Sequence, residues 1–589
     1  MKNNILKMFL AVTILSLSSC ETFDLDQTEN PSTLPQDKLD PVYAFNYVQV
    51  TLPDFVNSAN SFTQRVTRQM AMTGGNTYEN AFAGVNFNEN WTTGYLILNA
   101  IKTMEPRAKT NNQNFILGAS KVMRCYVLMT MVDMYGDIPY SEALMGTANL
   151  TPRYDGSADV YAGIYDELNQ SIDLLNASLA TSLPEELKGR DLYYGGEDGT
   201  ESPTKWITVA KSLKLKMLNN ARRVASSKIG SHDIAFEAAD LISKNDLIDS
   251  KDEDFEFKYG RNRVNPNSRH PLYNDQYEFG GGAYIANYFI WALTQEKVTV
   301  DNSGSTTPVK DPREFYYIHR QATVSSSTSR QTVPCLDIAK PAHFNLDQYA
   351  SFFSGRVPAP YCRVNTYLGR DHGDNSGIPN DNEIRAVAGL YPIGGIFKEA
   401  VGDTQNFGTD GALGEGIMPM LQTSYVHFIK AELYKTLLTN DALARSEFKM
   451  GVEASMDKVI TFLPEYERDP TTLAHSLTIT ATPQQPITDA QTFYVNYVMD
   501  KFDDPNYDQL ELIIKEYFLA AWGNGIEPYN SYRRTGFPSN FQPTFEDNPG
   551  PYYYTALYSD YSVNNNPNTP NSVRTRKVFW EEGLNLNLH

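Results

Sequence analysis

Basic residues are in short supply in this 589-residue chain: 50 Lys and Arg stand against 70 Asp and Glu, a formal net charge of −20. That balance excludes the positively charged footprint a nucleic-acid partner requires, and it offers anionic lipid nothing to attract. Cysteine is scarcer still, at four residues with no pair at zinc-ligand spacing. No glycine loop closes on Lys-Ser/Thr, and no nucleophile elbow or two-histidine zinc helix is written in the chain. Consecutive apolar runs never reach the roughly 18 residues that read as a membrane span. What remains is ample for a core, with 41% hydrophobic and 20% charged residues, a composition that folds and does not stay disordered.

The N-terminus carries an address. Lys2 and Lys7 precede an apolar stretch from Met8 to Leu17, and Ser18, Ser19 and Cys20 follow it. A basic start, a short apolar segment and small residues at a cut point make a secretory signal over residues 1–19. Small residues directly before a cysteine resemble a bacterial lipobox, so Cys20 is expected to be acylated and to become the first residue of the mature chain. Acyl chains then hold the protein to the membrane, each buried methylene contributing about 0.8 kcal/mol. Residues 20–35 are polar and acidic enough to serve as a flexible tether. With Cys20 lipidated, Cys125, Cys335 and Cys362 are left. Cys125 sits in an apolar helical run and reads as a buried, inert thiol, while a Cys335–Cys362 bridge stays open.

Helical periodicity dominates both ends of the mature chain. Val122, Tyr126, Met129 and Val132 recur at spacings of four and three, with Met123, Val127 and Met131 on the other side; a helix apolar nearly all round is a buried one. It is expected to stop at Tyr135–Gly136, ahead of Pro139. Ser157 is the predicted N-cap of the next helix, striped by Val160, Ile164, Leu168, Ile172 and Leu175. Trp206, Val209, Leu213 and Met217 mark a third, Val426, Ile429, Leu433 and Leu437 a fourth, and Leu510, Ile513, Ile514, Tyr517 and Ala521 a fifth. The fold class is thus mainly α, built of packed helix pairs. Residues 226–416 turn to Gly, Asn, Ser, Pro and Tyr and read as a loop-rich variable lobe, the usual home of recognition.

Candidate chemistry is thin, and no catalytic, cofactor or metal site is expected. Asp371, His372, Asp374 and Asp381 form the one acidic and imidazole cluster, but its spacing fits neither a calcium loop nor a zinc helix. Turn architecture around Arg370 and Gly373 is the better reading. Arg533 and Arg534 could clamp a carboxylate, yet their place after a buried helix favours a structural role. The 37 tyrosines and five tryptophans supply stacking platforms for rings. Tyr78, just after Gly74, Gly75 and Asn76, and Tyr284, Tyr288 and Trp291, just after Gly280–Gly282, are the candidate ligand contacts, with core packing as the competing reading.

Five segments, in order, resemble the SusD/RagB family. They are Arg124–Pro139 ending in Tyr135, Gly136, Asp137, Ile138 and Pro139; Pro152, Arg153 and Tyr154 with the helix to Leu175; Lys205–Ala221; Tyr425–Lys435 with its Ala431–Glu432 pair; and Ile514–Pro538 ending in Tyr532, Arg533, Arg534, Thr535, Gly536, Phe537 and Pro538. Asp311-Pro312-Arg313 and Gly369 to Asp374 look like the nutrient-binding subgroup. The resemblance covers most of residues 21–589. It implies tetratricopeptide-like helix pairs and a lipoprotein on the extracellular side of the outer membrane. It also implies an oligosaccharide or oligopeptide ligand and a role as lid on a SusC-like TonB-dependent barrel. A surface glycan hydrolase, whose two carboxylates only distances would reveal, and a non-catalytic adhesin or scaffold are the competing readings.

Overall fold

In the computed structural model the described residues are 40–581, apart from 73–76, 181–188, 196–198, 280–283, 321–368, 374–385, 398–407, 410, 463–483, 545 and 547, together with residue 586. Cys20, the tether, Cys335, Cys362, Asp374 and Asp381 lie outside them.

Helices form the frame: α1 (Pro41–Val66), α2 (Asn88–Thr110), α3 (Asn114–Tyr135), α4 (Ser157–Leu179), α5 (Ser202–Ala221), α6 (Ile234–Lys244), α7 (Asn287–Thr294), α8 (Thr423–Thr436), α9 (Asp441–Ile460), α10 (Gln484–Asp503), α11 (Gln509–Ala520) and α12 (Ile526–Thr535). Asp40 starts α1 by accepting from the Val42 amide at 3.0 Å, and Pro41 occupies the first helical position, where its missing N–H costs nothing. Phe45, Val48, Leu52, Phe55, Ala59 and Phe62 then put one face in the core.

The helices pack as neighbours in sequence: α1 on α2, α3 on α4, α4 on α5, and α8 on α9. This is the pairwise stacking the periodicity predicts. Helix α3 is long and apolar enough to cross a membrane by composition, but it is buried inside the protein. Cys125 is a free, buried thiol whose Sγ lies 3.7 Å from the Ile164 carbonyl, and burial pushes it well above the ordinary thiol range. Gly136 ends the helix with φ +79°. The next start differs by one residue from the expectation: Gly156 holds the N-cap position and Ser157 is already helical. Asp137 explains the shift, because its carboxylate accepts from the Ser157 amide at 2.8 Å and caps the helix from the preceding loop.

Close approach of α3 and α4 is set by Gly118. A Cβ there would lie 2.6 Å from Leu175 Cγ and 3.2 Å from the Ser171 carbonyl. Alanine at an unencumbered helical position gains about 1 kcal/mol over glycine. At this site the sign should reverse, with Gly118→Ala costing about 1–3 kcal/mol through overpacking, read as a lower urea midpoint.

Residues 226–416 contain loops but also short elements that periodicity is too brief to reveal. Helix α6 has Asp233 as its cap, accepting from Phe236 N at 2.9 Å, and buries Ile234, Ala238 and Leu241. Strand β1 (Phe255–Lys258) pairs antiparallel with β4 (Ile417–Leu421), with Phe257 opposite Met418, so the stretch between them leaves and rejoins the helical frame at one ribbon. Between them, β2 (Val298–Val300) and β3 (Thr306–Pro308) make a hairpin with Thr299 opposite Thr307.

Candidate functional site

Tyr78, Tyr284, Tyr288 and Trp291 are all buried, at 3%, 1%, 0% and 2% exposure, so none stands on the surface as an open platform. Tyr78 shares a 2.6 Å hydrogen bond with His372 Nε2 and stacks on Phe82 with ring centroids 5.7 Å apart. Its amide donates to Glu546 at 2.7 Å. Tyr284 faces the Arg370 guanidinium, 5.7 Å from its ring centre. Backbone bonds draw the same region together: Ala71 N donates to Tyr284 O at 2.8 Å, and Arg370 N to Ile285 O at 3.0 Å. The Gly369 to Asp371 turn is thereby sewn to the chain leaving α1. Asp371 accepts from Gln542 Nε2 at 2.6 Å. These contacts run to distant segments of the chain and not within the turn; among the described residues, which exclude Asp374 and Asp381, no group of His, Cys, Asp or Glu is arranged to hold a metal.

Tyr288 and Trp291 lie on α7, one turn apart, with centroids 5.9 Å apart. Tyr288 packs on Phe541 at 5.3 Å and shares its hydroxyl with Lys515 Nζ at 2.6 Å and Asn540 Oδ1 at 2.9 Å. Trp291 differs from the other three, because it lines a cavity of about 360 Å³ between α7, β2, α10 and α11. Beside it stand Glu296, Lys297, Tyr497, Lys501, Tyr507 and Lys515.

The charges around this cavity are tied to one another. Lys515 lies 2.9 Å from Glu296, and Lys297 lies 3.1 Å from buried Glu516. Burial lowers the Lys515 pKa, with Glu296 only partly opposing it. Burial also acts to raise Glu296, but Lys515 and Lys297 outweigh it and hold the carboxyl below its ordinary range. Tyr497 is fixed by donating to the Val298 carbonyl at 3.0 Å while accepting from the Val298 amide at 3.2 Å. Tyr507, at 43% exposure, flanks the opening. The arrangement holds aromatic rings, ammonium donors and carboxylate acceptors round a concave space, which suits reversible binding by stacking and hydrogen bonds.

Of the residues lining this cavity, Trp291 is a candidate from the sequence, whereas Tyr497, Lys501, Tyr507, Lys515 and Asn540 are not. Tyr497 and Lys501 do sit at i and i+4 on one helix, yet nothing local places that helix against residue 291. Arg533 and Arg534 are both buried, and they serve the packing: Arg534 clamps Glu432 with two 2.7 Å bonds.

Comparison with known proteins agrees with this architecture. A family profile described as "Starch-binding associating with outer membrane" matches residues 34–329, and one described as "Susd and RagB outer membrane lipoprotein" matches residues 414–572. No curated protein sequence matches the chain. Among solved structures, a SusD/RagB family protein from Bacteroides thetaiotaomicron is similar, with TM-score 0.61 and 16% identity over 93% of this chain and 100% of that one. A chitin-binding SusD homolog from Flavobacterium johnsoniae follows at TM-score 0.59 and 14% identity, over 92% and 98%. A SusD homolog from Bacteroides fragilis gives TM-score 0.57 and 18% identity, over 91% and 99%. At these identities the structures speak for the fold, whereas the two profiles, of which the first alone spans half the sequence, place the chain: it belongs to the SusD/RagB family of outer membrane lipoproteins.

Proposed function

We propose that this protein is a surface lipoprotein, tethered through Cys20, that binds a nutrient and delivers it to a SusC-like TonB-dependent barrel as its lid. The ligand is an oligosaccharide or oligopeptide, bound without turnover. The observation that carries the reading is family membership at both ends of one helix-pair frame, residues 34–329 and 414–572. The likeness to a chitin-binding homolog favours a saccharide over a peptide. Lid motion would give the mechanism: an open complex admits ligand, and closure traps it between lipoprotein and barrel.

Deleting the gene should reduce uptake of the nutrient while leaving extracellular hydrolysis unchanged; unchanged uptake would sink the reading. Purified protein should show saturable binding with no products, whereas turnover would favour a hydrolase. Cys20→Ala should move the protein from the membrane to the soluble fraction with its circular dichroism unaltered, because the acyl chains supply the membrane affinity.

A further inference from the structure

We propose that the cavity between α7, α10 and α11 takes one uncharged, polyhydroxylated ring of a saccharide, seated against Tyr507 and Tyr497 and hydrogen-bonded by Lys501. The proposal rests on the nutrient-capture reading and adds to it a place and a ligand class.

Size sets the first limit. At about 360 Å³ the cavity falls at the small end of ligand sites, which run from roughly 300 to 1,000 Å³. It holds a ring-sized unit, with the rest of a chain leaving through the opening beside Tyr507 and Ser539, both exposed.

Charge sets the second. The lining carries Lys297, Lys501 and Lys515 against Glu296, Asp508 and Glu511, so the wall is balanced. Most of these groups are already engaged. Lys515 pairs with Glu296, and Lys297 with Glu516. Asp508 caps α11, accepting from the amides of Leu510 at 2.8 Å and Glu511 at 3.2 Å. Glu511 accepts from the Ser539 amide at 2.8 Å and from its hydroxyl. A ligand bringing its own charge would bury it against a neutral wall, which is costly. Hydroxyl groups carry no such cost, since each donates and accepts at once and meets both the ammonium and the carboxylate edges of the wall.

Lys501 is the donor with capacity left. Its ammonium is hydrogen-bonded to the Tyr507 side chain and sits 4.7 Å from the Tyr507 ring centre and 5.5 Å from that of Tyr497, and no ion pair among the described residues takes up its other N–H groups. It therefore has N–H groups to offer a ring hydroxyl, beside two aromatic faces that can cover the apolar C–H side of a sugar. Tyr497 cannot swing away, because both its hydroxyl bonds go to Val298 on the β2 strand.

The test is calorimetry on the full mature, lipid-anchored chain in detergent, titrated with neutral trisaccharides of glucose, galactose, mannose, xylose and N-acetylglucosamine, and with trigalacturonate and trialanine. At least one neutral trisaccharide should bind, and Tyr507→Ala and Lys501→Ala should each weaken it tenfold or more. Phe493→Ala, an exposed residue of α10 outside the cavity, should leave it unchanged. Both test positions are solvent-facing enough that the fold should survive, which an unaltered melting curve verifies. Neutral-sugar binding that ignores Tyr507→Ala and Lys501→Ala overturns the cavity while leaving nutrient capture standing. Preference for trigalacturonate or trialanine, lost in the same two variants, overturns the ligand class. A wild-type chain that binds none of the probes overturns the proposal too, and uptake by the gene-deleted strain then tells whether capture falls with it.

Discussion

Replacing Glu432 by Leu should destabilise the protein by about 3–5 kcal/mol, the usual cost of removing one member of a buried ion pair. Glu432 is fully buried on α8 and faces two arginines from elsewhere in the chain. Arg534 on α12 reaches it with two 2.7 Å bonds, and Arg222, just beyond α5, lies 2.8 Å away. Asn219 donates to the same carboxylate at 2.8 Å. Three helices distant in sequence therefore meet on one side chain, and without it two core guanidinium groups lose the carboxylate that pairs with both among the described residues. Adding Arg534→Met to Glu432→Leu should recover part of the loss, since an apolar pair of similar volume needs no partner; Arg222 keeps the recovery incomplete. Urea titration of the single and double variants reads both effects. A loss below about 1 kcal/mol for the single change would place the network among weak surface-type pairs.

Acid should weaken the same contact. Burial acts to raise the Glu432 carboxyl, but Arg222 and Arg534 outweigh it and hold the group below its ordinary range. A depressed acid contributes its stability above the unfolded pKa and loses it as pH falls through the folded one. The contribution is therefore whole at neutral pH and disappears only in strong acid.

Helices α3, α4, α5, α8 and α11 were readable in the sequence because their signals are local, whereas α1, α2, α9 and α10 were not named from it. Val160, Ile164, Leu168 and Leu175 fall on one stripe of α4 and all are fully buried, and Trp206, Val209, Leu213 and Met217 do the same on α5. Burial of apolar side chains at about 25 cal/mol per Å² fixes which face turns inward, so period alone reveals it. Where the reading slipped, a longer-range group had intervened, as when Asp137 took over the capping that Ser157 was expected to supply. The cavity beside Trp291 is of that second kind throughout. Trp291, Tyr497, Tyr507 and Asn540 meet only because α7 packs beside α10 and α11. Tyr78, Tyr284 and Tyr288 have the composition of a binding platform, but their rings are spent on His372, Arg370 and Phe541. An aromatic after a glycine turn states only that a large ring can fit there; packing decides whether it faces ligand or core.

Rising pH should loosen the contact where the C-terminal segment closes over α3 and α12. Trp580 is fully buried, with its ring 4.7 Å from the Arg533 guanidinium and its Nε1 3.2 Å from Asp133. Arg576 donates to the Tyr135 carbonyl at 3.0 Å. Glu581 follows, its Oε1 3.2 Å from Arg533 Nε and its Oε2 accepting from Val578 N at 2.7 Å. Burial pushes its carboxyl up to about 7 from an ordinary 4.5, and Asp133 adds to this, while Arg533 and Lys577 oppose it only in part. Arg533 is shared, since it also donates to the carbonyls of Tyr554 and Asp133 at 2.6 Å each. Between pH 4.5 and 7 the folded chain thus holds a proton that the unfolded chain has released, so folding stability must fall as pH rises through that window. The size is about 3 kcal/mol, at roughly 1.36 kcal/mol per pKa unit. Glu581→Gln mimics the protonated group and removes the slope. Its stability should match wild type near pH 4 and exceed it by about 3 kcal/mol at pH 8, measured by urea titration at each pH. A wild type that instead gains on Glu581→Gln as pH rises would show that the ion pair with Arg533 outweighs burial, reversing the sign assigned to this carboxylate.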